Sequence, residues 1–184
     1  MITAEREAEL KKLALAVCRN PRSTAKDLAE SAGISKATFY RVYSSRENLV
    51  EILNERTKDM VENLMMIVRQ RDKTPRAVLH EFILESCENK EYLLRICYSS
   101  ATGCDEQCSD SYVQNVTDFF LWGQKEGVFR IDLPASVMSE LFGGSMLALF
   151  EGERTGRIAS ASLADYWEIF FLKGVENTER GDVK

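Results

Sequence analysis

Apolar positions recur every three to four residues along nearly the whole chain, and no stretch of any length alternates with a period of two. That spacing lines up side chains on one face of a helix, so the chain reads as all-α. Leu10, Leu13, Ala14 and Val17 mark a first helix over 4–19, stopped by Asn20-Pro21. Leu28, Ala29 and Ala32 form a short second stripe, and Phe39, Val42 and Tyr43 a third. Leu49, Ile52, Leu53, Met60, Leu64 and Ile67 predict one long helix, opened at Ser44 and running to Arg71. The next opens at Thr74-Pro75, with proline at its favoured first position, and carries Val78, Leu79, Phe82, Ile83 and Cys87. A shorter helix follows over 90–99, then a polar loop over 100–110 containing Gly103. A helix over 111–126 carries Val113, Val116, Phe119, Phe120 and Trp122 and ends at Gly127. After a connector at 129–132, a helix from Pro134 carries Val137, Met138, Leu141, Phe142, Ser145, Leu149 and Phe150. Gly143 and Gly144 inside it cost helix stability, so they imply close approach of another helix or room for a ligand. Beyond Gly156, a last helix from Ser160 carries Leu163, Tyr166, Trp167, Phe170, Phe171 and Val175, and the polar tail after Asn177 is expected to fray.

The turn chemistry between the second and fourth stripes is the most informative. Thr24 with Asp27 three positions on forms a capping box, Gly33 supplies the left-handed residue that ends a helix, and Ser35 caps the next. Ser44 with Glu47 reads as a further capping box. On the middle helix Phe39, Val42 and Tyr43 face inward, while Lys36, Ala37, Thr38, Tyr40 and Arg41 lie on or beside the outward face. That face has no acid. An ammonium, a guanidinium, hydroxyls and a methyl suit phosphate oxygens, purine edges and the thymine methyl of a DNA major groove. A winged helix would need a β-hairpin next, whereas Ser44 begins a helix.

The formal net charge of −5 argues against a nucleic-acid binder until it is mapped. Residues 1–50 hold nine Lys/Arg against six Asp/Glu, and residues 51–184 hold fifteen against twenty-three. Basic charge therefore collects at the start. The sequence begins with a charged amphipathic run, not a signal peptide, and no apolar run is long enough to span a membrane, so a cytoplasmic protein with reduced cysteines is expected. The sequon at Asn115 carries no meaning in that setting.

The segment T-A-K-D-L-A-E-S-A-G-I-S-K-A-T-F-Y-R-V-Y-S-S-R-E-N-L resembles the TetR family of transcriptional regulators, above all in A-G-I-S, in Thr38-Phe39-Tyr40, and in Tyr43 three residues before the base Arg46. The chain departs from the family in the link Cys18–Ser23, which is shorter and lacks the usual aromatic and Gly-aromatic pair. The resemblance implies a three-helix helix-turn-helix domain over 1–50, then a six-helix ligand-binding and dimerisation domain over 51–184. It implies DNA contacts from Thr24, Ser35, Lys36, Ala37, Thr38, Tyr40, Arg41 and Arg46, with Tyr40 and Arg46 mostly gripping phosphate. It implies a homodimer on a palindromic operator, with the last two helices of each subunit bundled through Leu141, Ser145, Leu149, Leu163, Trp167 and Phe170. It also implies a repressor released by a small-molecule effector. Met65, Phe82, Leu94, Cys97, Tyr98, Phe119, Trp122, Met146 and Phe150, all inward by period, are the candidate lining, and their character favours an apolar or aromatic effector.

Two rival readings follow from the residues. Cys97, Cys104 and Cys108 could serve a thiol-based redox or metal sensor, although their spacing is not that of a zinc site and the acids nearby disfavour thiolate. A helical adaptor that binds only protein would not need an acid-free basic face. Catalysis is not expected: there is no phosphate-binding glycine loop, no nucleophile elbow and no metal-spaced set, and the single histidine, His80, reads as a solvated or core-edge residue. No cofactor or membrane partner is expected.

Overall fold

The structure, a computed structural model, describes residues 3–98 and 106–177. Among these are nine α-helices: α1 (Ala4–Arg19), α2 (Ala25–Ala32), α3 (Lys36–Tyr43), α4 (Arg46–Val68), α5 (Pro75–Glu88), α6 (Lys90–Tyr98), α7 (Glu106–Lys125), α8 (Ala135–Arg154) and α9 (Leu163–Val175). A 3-10 turn over Ser160–Ser162 leads into α9. No helix among the described residues is long and apolar enough to cross a membrane. The helix over 111–126 begins earlier than expected, at Glu106: its opening residues are polar, and polarity alone does not bar a helix.

The chain divides into two compact units, one of residues 1–61 and 89–105, the other of 62–88 and 106–184. The first therefore extends past residue 50, taking in most of α4 and all of α6. Its core is Leu10, Leu13, Ala14, Val17, Leu28, Ala29, Phe39, Tyr43, Leu49 and Leu53, joined by Tyr92, Leu93 and Leu94 of α6. The short link after α1 is held by its own polar groups. Asn20 accepts from the Arg22 N–H at its side chain, 3.1 Å, and from the Ser23 hydroxyl at its carbonyl, 2.7 Å.

The second unit packs around aromatic rings. Phe142 stacks on Trp167 with centroids 4.6 Å apart and on Phe82 at 5.0 Å, and meets Phe171 edge-on at 5.0 Å. Phe120 touches both Phe142 and Phe171. Each fully buried ring contributes roughly 1.5–3 kcal/mol of burial. The Trp167 indole N–H donates to the Ser145 hydroxyl, 3.0 Å, which donates to the Phe142 carbonyl, 2.9 Å. The link between α7 and α8 folds back so that Phe129 lies against Gly123, where a Cβ would overlap its ring. One antiparallel bridge, Phe129 to Glu176, pins that link to the chain leaving α9.

Candidate nucleic-acid interface

The α2-turn-α3 geometry follows from short-range hydrogen bonds. The Thr24 hydroxyl accepts from the Asp27 N–H at 3.3 Å while the Asp27 carboxylate accepts from the Thr24 N–H at 2.8 Å, completing the expected capping box. Those hydrogen bonds from the Thr24 backbone and side chain hold the Asp27 carboxyl below its ordinary range. Gly33 sits at φ +75°, and since a Cβ there would meet nothing within 4 Å, the backbone conformation rather than crowding is what calls for glycine. The Ser35 hydroxyl then accepts from the Thr38 N–H, 3.0 Å, opening α3.

Phe39 and Tyr43 are fully buried, and Lys36, Ala37, Tyr40 and Arg41 are exposed, with Thr38 half-buried beside them. The Tyr40 ring stands edge-on against Phe39 at 5.9 Å, which leaves its hydroxyl end outward, and the Lys36 ammonium lies 5.8 Å over the same ring. Both sit on a rigid base. Tyr43 donates to the Glu9 carboxylate on α1, and Arg6 lies 4.3 Å over the Tyr43 ring while donating to the same carboxylate, 2.9 Å. Burial, followed by the bond to Glu9, pushes the Tyr43 phenol well above its ordinary pKa, so it stays a donor.

Two expectations change here. The cap that opens α4 is Ser45, whose hydroxyl accepts from the Asn48 N–H at 3.1 Å; Ser44 is instead the reversal point, at φ 63° and ψ −49°. The Ser45 N–H reaches back to the Tyr43 carbonyl at 2.6 Å, a three-residue turn that few side-chain-bearing residues adopt. Arg46 is committed within the chain: its Nε donates to the Ser23 carbonyl at 3.0 Å and an Nη to the Pro21 carbonyl. It clamps the link in front of α2 to the start of α4. Thr24, Ser35 and Thr38 likewise spend hydroxyl capacity on capping, so the groups left outward are those of Lys36, Ala37, Tyr40 and Arg41.

A polar network in the same unit has no local signal in the sequence. Glu7 on α1 accepts from Arg56 of α4 at 2.6 Å and from the Tyr92 hydroxyl of α6 at 2.9 Å. Arg95 of α6 is 1% exposed, donates to Asn54 at 2.6 Å and to Thr57 at 3.3 Å, and has no carboxylate partner among the described residues. Its burial lowers its pKa.

The candidate effector lining is divided by the fold. Leu94, Cys97 and Tyr98 belong to the first unit; Met65, Phe82, Phe119, Trp122, Met146 and Phe150 belong to the second. Cys97 and Tyr98 are exposed rather than inward, because α6 buries Tyr92 through Arg95 and its last turn runs past that core. Phe82, Phe119 and Phe150 are packed against other rings, and Trp122 carries the Arg71 guanidinium 4.3 Å over its face. Desolvation raises the Cys97 pKa, which disfavours thiolate, and among the described residues no His/Cys/Asp/Glu group could hold a metal. Cys104 lies outside the described residues, as does the side chain of Cys108. His80 is exposed and its Nδ1 lies 2.7 Å from a Glu168 carboxylate oxygen.

Of the expected interface residues, Leu141 and Phe170 are exposed, Ser145 and Leu149 are half-buried, and Leu163 and Trp167 are core, 2% and 0% exposed. The last two belong to the inner side of α9, which is apolar on more than one face, so periodicity could not separate its core side from its outer side. Val137, Tyr166 and Ile169 are exposed with Leu141 and Phe170.

The family described as "Bacterial regulatory proteins, tetR family" matches residues 13–53, the span from α1 into α4. The chain is 34% identical over 179 residues to the HTH-type transcriptional regulator NfxB of Pseudomonas aeruginosa, covering 95% of this chain and 96% of that one. Two solved structures share the fold: the MbdR regulator from Azoarcus sp. CIB, at 16% identity and a TM-score of 0.65 over 93% of this chain and 98% of that one, and LfrR from Mycobacterium smegmatis in complex with proflavine, at 18% identity and 0.60 over 94% and 97%. The sequence match, the capped turn and the acid-free face of α3 agree: this chain is a helix-turn-helix transcriptional regulator and belongs to the TetR family.

Proposed function

We propose that this regulator, acting in the cytoplasm, binds a palindromic operator as a homodimer, represses transcription there, and releases the DNA when an apolar or aromatic small molecule occupies its helical domain. The observation that carries the DNA reading is the exposed face of α3, where Lys36, Ala37, Tyr40 and Arg41 stand together without an acid. We assign recognition to residues 1–50 and the effector and dimer functions to 51–184, with α6 of the second segment packed against α1. Homodimerisation is supported by the exposed apolar side chains of α8 and α9. A two-fold dimer places two recognition helices on successive major grooves, and that arrangement selects a palindrome. Effector release is supported by the aromatic character of the second unit and by the proflavine bound to LfrR. Such a ligand acts by preferring the form whose recognition helices no longer match the groove spacing.

The test begins with fragments of genomic DNA selected by the purified protein. Lys36→Ala, Tyr40→Ala and Arg41→Ala are each expected to weaken binding to a selected fragment by about tenfold or more while the helical circular-dichroism signal stays intact. Loss of a phosphate contact also lowers the salt slope by about one. Unchanged affinity and slope in all three would mean that another surface meets the DNA.

A further inference from the structure

The outer side of α8 and α9 carries an open apolar groove of about 600 Å³, whose walls include Leu141, Gly144, Phe170 and Gly174 and whose polar members include Glu140 and Lys173. Three features of it have no explanation within one chain. First, Phe170 is 70% exposed, though a phenyl ring on a helix gains by burial. Second, a Cβ at Gly144 or Gly174 would meet nothing within 4 Å, so nothing in the protomer asks for glycine, yet each interior glycine costs its helix about 1 kcal/mol relative to alanine. Third, Glu140 and Lys173 are exposed and form no ion pair among the described residues.

Resting on the homodimer reading above, we propose that the groove takes Phe170 of a second copy of this chain, and that Glu140 pairs with the partner subunit's Lys173 on each side of the two-fold axis. A knob and its hole on one surface, with one acid and one base beside them, are self-complementary: in a two-fold interface each residue that meets a partner position is met in return. The glycines let the ring descend to the helix backbone. The charge pair fixes the register and sets the choice of partner, because a related subunit with a like charge at either position would be repelled. The surface thus selects copies of this chain over other helical bundles with an equally apolar face.

The test is a charge exchange read by sedimentation. Glu140→Lys and Lys173→Glu, both at exposed positions, are each expected to weaken self-association by about tenfold or more, since each puts two like-charged pairs into its dimer. The double variant is expected to recover, and the two single variants mixed in equal amounts are expected to form mixed dimers, in which both pairs are restored. Gly144→Leu fills the hole and is expected to weaken the dimer by at least about tenfold with the helical signal retained. A wild-type dimer that tolerates both single charge changes, or a double variant that fails to recover, overturns the pairing alone; a dimer unmoved by Gly144→Leu overturns the seat for Phe170. A wild-type chain that stays monomeric overturns the homodimer reading with it.

Discussion

Glu7 shows how one carboxylate can bind three helices. Burial by itself would raise its pKa, but the Arg56 guanidinium and the Tyr92 hydroxyl outweigh that and hold it below the ordinary 4.5. A depressed folded-state pKa means stability that is fully present above the unfolded value and is lost as pH falls through the folded one. Glu7→Gln is therefore expected to destabilise the chain by about 1–2 kcal/mol at neutral pH, a charged hydrogen bond discounted for partial exposure, and the gap from wild type should close below pH 4.5. Urea midpoints across that range check it; a gap independent of pH would mean that packing, not charge, is what the substitution removes. Arg46 makes the complementary point. A cation in the first turn of a helix looks misplaced against the dipole, and phosphate is the obvious remedy from sequence. The structure supplies two carbonyls of the preceding link instead.

Helices α7 and α8 contrast two uses of glycine. Gly123 is required by its own fold, because the Phe129 ring occupies the space of a side chain. Gly123→Ala should cost about 1–3 kcal/mol by overpacking, whereas Gly143→Ala should gain up to about 1 kcal/mol of helix propensity in the isolated protomer. Thermal melting of the two variants separates these signs, and a neutral Gly123→Ala would show that the ring can withdraw. The caps at Thr24 and Ser35 and the Gly33 turn were legible in the sequence because each depends on atoms within three residues of one another. Ser44 and Ser45 were not separable, since either hydroxyl can cap and only the reversal of the backbone decides. The stripes of α8 and α9 were legible as apolar; which side of α9 faces its own core was not, and Leu163 and Trp167 lie on the inner one.

At the scale of the whole molecule, the three-helix unit at the start is completed by a helix encoded far downstream. Tyr92 and Arg95 bring α6 against α1 and α4 across sequence separations that no periodicity reveals. A fragment ending at residue 50 would lose the Arg56 and Tyr92 partners of Glu7 and expose the side of α1 that α6 covers. It is expected to show weak helicity and no cooperative melt, while the full chain melts sharply; a cooperatively folding fragment would show α6 to be dispensable. The same arrangement limits how such a protein can be recombined. A hybrid spliced just after the recognition helix would leave Glu7 facing strangers at positions 56 and 92, so a terminal cassette carrying DNA specificity would arrive without those partners. Moving the sixth helix with it, or rewriting α1 to suit its new companion, would restore the match.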